Sequence, residues 1–329
     1  VNYRGLTALS GNFGGLVIGA TESMTGFCNQ IYNSTQGSVV GGSYNCVCDS
    51  NEASIIGGDF NVVCNNVRSN IVGGCHNQIM NCSCDSTILG GHYNRIYNYA
   101  CNSSILGGYN SCIATRNSSI LGGYNSCITN GAEESTILGG SHNCIFNGSD
   151  GSAIVGGYRN AVYSGSYVST VLGGSYNCVS YGSCDSSVIG GYCNEVYNSE
   201  RSVVMGGRGN CLTNADYSII LGAGGYNRIA YTRYSSILGG CSNLICENSN
   251  YATIVGGCGN YIGCCSRYSS VIGGRDNTIN YCSQYASVIG GERNSICCGS
   301  QYSSIVGGCY NRVCYLSLIH ISEPTRRTP

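Results

Sequence analysis

A glycine pair preceded by two aliphatic residues returns along almost the whole chain, and its spacing restricts the fold more than any other feature. It reads SVVGG at 38–42, SIIGG at 54–58, TILGG at 87–91 and SIVGG at 304–308. The first glycine falls at 41, 57, 73, 90, 107, 122, 139, 156, 173, 190, 206, 222, 239, 256, 273, 290 and 307. That makes 17 repeats, mostly 17 residues apart, some 16 and one 15. A fixed period of this size marks a stacked-repeat architecture. At Gly222 the pair is interrupted, reading Gly222-Ala223-Gly224-Gly225, as if one residue had been inserted. A degenerate earlier copy, Val17-Ile18-Gly19-Ala20 followed by Asn29-Gln30-Ile31, predicts an 18th coil with an enlarged turn around 21–27.

Three columns are aliphatic throughout. Two places before the first Gly stands Ile or Val (Val39, Ile55, Ile71, Ile88), and one place before it Val, Ile, Leu or Met (Val40, Ile56, Val72, Leu89). Six places after it stands another (Val47, Val63, Ile79, Ile96), displaced to Ile229 by the insertion. An Asn generally precedes this third column by two residues, as at Asn45, Asn61, Asn77 and Asn94, and shifts by one at Asn110 and Asn125. Aliphatics in this pattern do not recur at three and four residues, and a Gly pair would cost a helix about 2 kcal/mol per copy. Short strands punctuated by Gly and Asn turns fit instead, since Asn tolerates the left-handed conformation and its stacked amides can bond along the axis. Each repeat then supplies two strands, and successive repeats stack in parallel. At about 4.8 Å per coil, seventeen coils would extend about 80 Å. The expected fold is all-β, a parallel β-solenoid (β-roll) of 17–18 coils.

Adjacent strand residues point to opposite faces. Where both are always aliphatic, one fills the solenoid and the other forms an exposed apolar stripe, which soluble monomers rarely tolerate. Burial against other copies resolves this, and a cyclic homotrimer is the simplest closed arrangement.

The composition agrees with a repetitive β protein. Charged residues are only 9%, Gly numbers 51 and Pro 2, so the glycine is neither collagen-like nor linker-like. A net charge of −1 gives no electrostatic reason to expect nucleic acid as a partner. No apolar run approaches the roughly 20 residues of a membrane span. Residues 316–326 read LSLIHISEPTR, which resembles the translation of a transposon-type sequencing adapter. The expected organisation is therefore a leader at 1–15, the solenoid at 16–315, and an unstructured adapter-derived tail at 316–329, the natural protein continuing past both ends.

The repeats resemble the head repeats of YadA-like trimeric autotransporter adhesins and related repeats of phage and virus fibres. The matching elements are Ser-Ser-Ile-Leu-Gly-Gly at 103–108 and 118–123, followed by Asn-x-Ile or its shifted form. The resemblance covers roughly 16–315, with a longer period here and two glycines where that family usually has one. It implies a trimeric β-roll and a structural or adhesive role. The stalk and membrane-anchor barrel of those adhesins are not seen in this stretch, which keeps a virion fibre open beside a cell-surface adhesin.

The 25 cysteines include several in one column of successive coils: Cys112, Cys127 and Cys144, Cys48 with Cys64, and Cys297 with Cys314. Coil spacing suits disulfides. Half-buried free thiols acting as small hydrophobes are the other reading. Free thiols would point to assembly in a reducing compartment, and so to a virus or phage part. Cys75 and His92 share a column with His76 next door, but no second coil completes a tetrahedral set, so no metal is expected, nor any other cofactor.

Six consecutive repeats carry Tyr five places before the first Gly: Tyr217, Tyr234, Tyr251, Tyr268, Tyr285 and Tyr302. Such a column stabilises itself by stacking and would also form an aromatic strip able to hold a glycan or protein receptor. No nucleophile–base–acid arrangement or paired carboxylate set is visible, so the expectation is a non-enzymatic fibre shaft on a virion or cell surface. Two other classes stay open. A monomeric ice- or surface-binding solenoid could present the Ser/Thr column three places before the Gly (Ser54, Thr87, Ser104, Ser119, Thr136), and a polysaccharide-active β-helix would show acidic clusters in a cleft.

Overall fold

A computed structural model describes residues 23–222, 224–314 and 320–321. The chain divides into two units, Val1–Phe146 and Asn147–Pro329. Each is a parallel β-solenoid, and among the described residues all regular structure is β.

In the first unit, one ladder joins the strands that end at the glycine pair. Ser38–Val40 pairs with Ser54–Ile56, then Asn70–Val72, Thr87–Leu89, Ser104–Leu106, Ser119–Leu121 and Thr136–Leu138, all parallel. A second ladder joins the strands around the third aliphatic column, for example Cys46–Cys48 with Val62–Cys64 and Gln78–Met80. The second unit repeats the plan, from Ala153–Val155 and Ala161–Tyr163 to Ser304–Val306 and Arg312–Val313. Strands of two or three residues suffice because each backbone bonds to the coils on both sides.

The register keeps like on like. Ile88, Ile105, Ile120 and Ile137 stack in one column, and Ile96, Ile113, Ile128 and Ile145 in the other, all fully buried. The interior is only partly apolar. Asn45, Asn61, Asn77 and Asn94 are buried, and each donates its backbone N–H to the side-chain oxygen of the Asn one coil back, at 2.9–3.0 Å. Their Nδ2 groups donate to glycine carbonyls, as Asn61 does to Gly74 at 3.0 Å. These asparagines do not have positive φ; the residues before them do, including Tyr44, Phe60, His76 and Tyr93. The Asn column is therefore an axial hydrogen-bond ladder and not a left-handed turn position.

Two serine columns complete the interior. Ser86, Ser103 and Ser118 are buried; Ser103 N–H donates to Ser86 Oγ and Ser118 N–H to Ser103 Oγ, each at 3.1 Å. In the second unit Ser149, Ser166 and Ser183 form a like column, linked at 3.3 Å. Buried backbone groups thus find partners without regular strand, as they must.

At Asn110 and Asn125 the Asn lies one place early, at φ 51°, and Ser111 and Ser126 take the inward place. Ser111 N–H still bonds Asn94 Oδ1 at 3.0 Å, but the Ser111 and Ser126 hydroxyls find no partner. Ser111→Asn is expected to restore the ladder and raise stability by about 1 kcal/mol, read as a higher denaturation midpoint.

The inserted residue is absorbed without a change of register. Arg208 bridges to Gly225 and donates its N–H to Gly224 O at 3.1 Å, so Gly224 takes the place of the second glycine. Ile229 then pairs with Leu212 as the column requires.

The first coil differs from expectation. Ser23–Met24 takes the strand place, pairing with Ser38 and Val39, and no enlarged turn occupies 23–27. Thr25 stands where other coils have an aliphatic residue and a glycine. Its Oγ1 accepts the Gly41 N–H at 2.8 Å, a role filled one coil later by the Val40 carbonyl toward Gly57. Val17-Ile18 and the 1–15 leader lie outside the described residues. Within the expected tail, His320–Ile321 pairs in parallel with Ser304 and Ile305; the rest of the tail lies outside the described residues.

Candidate interaction surface

The residue after each buried first-ladder aliphatic must point outward, because successive strand side chains alternate. In the first unit Val40, Ile56, Val72, Leu89, Leu106, Leu121 and Leu138 are 39–48% exposed, while their in-strand neighbours are fully buried. In the second unit the column runs from Val155 and Leu172 to Ile289 and Val306, 37–45% exposed apart from the half-buried Ile189. The apolar stripe expected from the paired aliphatics is present on each unit. Between Val40 and Leu138, and between Val155 and Val306, no charged or polar residue interrupts it.

Covering the remaining exposed part of one such side chain is worth about 0.6–1.4 kcal/mol, scaled from about 1.5–3 kcal/mol for complete burial. Seven positions in one unit then supply on the order of 5 kcal/mol per copy. That is enough to matter against an association cost of roughly 4–15 kcal/mol, and it grows with every coil added.

The six predicted tyrosines come together as one stack in the second unit. Tyr217, Tyr234, Tyr251, Tyr268, Tyr285 and Tyr302 have successive ring centroids 4.9–5.0 Å apart, with interplanar angles between 1° and 20°. All are exposed, and all have positive φ, 54–61°. A left-handed conformation costs a bulky L-residue about 1–2 kcal/mol. Each stacked pair returns about 0.5–1.5 kcal/mol. The terms nearly cancel, so stability alone does not favour Tyr over Asn or Gly at these turns.

A second aromatic run, in the first unit, was not singled out from the sequence. Tyr44 stacks on Phe60 at 4.8 Å, Phe60 on His76 at 4.9 Å, and His76 lies 4.8 Å from Tyr93. Mixed residue types hide the column. Its signal was positional, since each member stands three places after the first glycine.

Of the cysteines, Cys48–Cys64 and Cys297–Cys314 are disulfide-bonded between neighbouring coils, with Cα atoms 4.6 and 4.7 Å apart. The other 21 are free. Both sequence readings hold, at different sites. Cys112, Cys127 and Cys144 stack in one column, with Cys127 and Cys144 Sγ 2.7 Å apart. Hydrogen bonding to Cys127 lowers the Cys112 thiol to about 7 despite its burial, and lowers Cys144 as well, while Cys127 is pushed up. Cys112 should therefore ionise as pH rises through about 7, below an ordinary thiol. Alkylation followed by peptide mass spectrometry should find Cys112 reacting faster than Cys127 at neutral pH, and equal rates would refute this.

His76 and His92 lie beside Cys75, with ligand atoms all within 4.8 Å of one another. Another histidine, His142, lies away from them, its ring 5.5 Å from Tyr124. An open polar hollow in the second unit includes Glu200, Asp216, Arg233 and Glu247, in which Asp216 and Arg233 form an ion pair at 3.3 Å.

These features define a cysteine-rich parallel β-solenoid with a repeat of about 17 residues. No protein-family model matches the chain, and a search of curated proteins finds no significant match. No helix among the described residues is long and apolar enough to cross a membrane.

Proposed function

We propose that the chain is a non-enzymatic shaft segment of a homotrimeric fibre, similar in repeat logic to YadA-like adhesin heads and phage or virus fibres. The observation that carries this is the unbroken half-exposed aliphatic column beside the first ladder. A surface repeating once per coil is commensurate with another copy of itself, so identical chains can bury it along its length. Three copies close the assembly about one axis without leaving an unpaired stripe. The many free thiols favour assembly in a reducing compartment, hence a virion part over a secreted adhesin. The tyrosine strip, which stability does not account for, is the surface we assign to a glycan or protein receptor.

The ice-binding alternative is less well supported. Hydroxyls of the half-exposed Ser/Thr column bond to each other along the axis, as between Ser104 and Ser119 at 3.2 Å and between Ser287 and Ser304 at 3.1 Å. They are thereby partly withdrawn from any outside lattice.

Solution mass by light scattering tests the reading. The expected result is three chain masses, with and without reductant. Leu106→Glu combined with Leu138→Glu should release single chains that keep their β circular dichroism, because both positions point away from the core. Wild-type chains that remain monomeric at every concentration would overturn the trimer, as would charged variants that still assemble.

A further inference from the structure

We propose that Cys75, His76 and His92 form a binding site for a divalent transition metal of the zinc class, with one coordination position left open. Cys75 and His92 are bridged partners on adjacent coils, so their side chains leave the backbone on the same side, one coil apart. His76 follows Cys75 at φ 56°, and its Nδ1 lies 3.0 Å from Cys75 Sγ. All three ligand atoms are within 4.8 Å of one another, and all three residues are half-buried. Metal–ligand bonds of about 2.0–2.3 Å need small adjustments from that spread.

The support is rigid. Cys75, His76 and His92 donate their backbone N–H groups to Gly91, Asp59 and Gly108 at 2.9–3.0 Å. The His76 ring is held between Phe60 at 4.9 Å and Tyr93 at 4.8 Å. A second, independent observation concerns the thiol. The bridged neighbours of Cys75 are Asp59 and His92, so unlike Cys127 or Cys258 it has no cysteine beside it in its column on an adjacent coil with which to form a disulfide. A thiol set among imidazoles instead of thiols is suited to a metal.

One thiolate and two imidazoles select borderline-soft ions such as Zn²⁺ or Co²⁺ over Ca²⁺ or Mg²⁺. The cluster has three protein ligands, short of a full tetrahedral set. Three protein ligands with a fourth open position are nevertheless a common arrangement for zinc that also binds water or another ligand. Binding would displace the Cys75 thiol proton to solvent, leaving the thiolate on the metal.

The test is anaerobic titration of the full, reduced, chelator-treated chain with Co²⁺, followed by near-ultraviolet thiolate-to-cobalt charge transfer and visible ligand-field absorption. The expected result is saturation at one equivalent with a one-thiolate spectrum, reversed by Zn²⁺. Cys75→Ser should abolish the charge-transfer band, and His92→Gln should weaken affinity at least about tenfold. Cys193→Ser, at an exposed thiol elsewhere, should change nothing. Retention of the band in Cys75→Ser would assign binding to other thiols and overturn the proposal, as would no saturable band in the wild-type chain. Since the wild-type titration stands alone, a variant that misfolds does not rescue the idea.

Discussion

Gly257→Ala is expected to destabilise the second unit by about 4 kcal/mol or more, while Gly256→Ala next to it costs about 1–2 kcal/mol. Both glycines have positive φ, 67° and 79°, so both substitutions incur left-handed strain. They differ in what a new methyl group meets. At Gly256 nothing lies within 4 Å. At Gly257 the added Cβ would sit 2.3 Å from the Gly274 carbonyl oxygen and 2.3 Å from Asn260 Nδ2. The first of these is backbone of the next coil and cannot turn away. Relief requires parting two coils, which breaks ladder hydrogen bonds along both strands. Urea denaturation with hydrogen exchange of the neighbouring amides would read the difference, and equal costs for the two variants would contradict the geometry.

The second large effect is expected at Asn260. Its Nδ2 lies 3.3 Å from each of the Gly256, Gly273 and Gly274 carbonyls, and its Oδ1 accepts the Asn277 N–H at 3.0 Å. Asn260→Leu keeps the volume and removes every one of these bonds. The Asn277 N–H is left buried and unpaired, together with glycine carbonyls, at about 1–3 kcal/mol for each unsatisfied group. A loss of about 3–5 kcal/mol is expected, concentrated in the coils on either side because contacts in a solenoid reach only neighbours. Calorimetry together with local hydrogen exchange would measure it. A neutral result would mean that the Asn column is dispensable.

Much of this fold was legible from the residues. The glycine period marks the coil, and strand alternation at Val39-Val40 or Ile105-Leu106 separates a buried column from an exposed one. What escaped has physical reasons. The first described coil has no aliphatic pair and glycine pair to mark it: Ser23-Met24-Thr25-Gly26 fills the strand place, with the Thr25 hydroxyl standing in for a carbonyl. The buried serines, such as Ser86 and Ser103, read as ordinary polar turn residues; only the backbone N–H groups aimed at them reveal their place. Of the two roles expected of the Asn column, bonding along the axis is the one the structure shows; the left-handed conformation falls one residue earlier, where Phe60, His76 and Tyr93 adopt it. The aromatic run through Tyr44 and Phe60 was hidden by changes of residue type. The Tyr217–Tyr302 strip was found because its residue type never changes.

The inward hydrogen bonds of the Asn column have a consequence for how such a chain can vary. Each Asn bonds the coil ahead through its amide and is bonded by the coil behind, so the coils that carry this Asn present the same pair of joints. Excision of one complete coil, such as 236–252, would bring together ends that already match. Addition of a coil would do the same. The length of the molecule is therefore a counted quantity, changeable by recombination between near-identical gene segments in whole-coil steps without new packing having to be found.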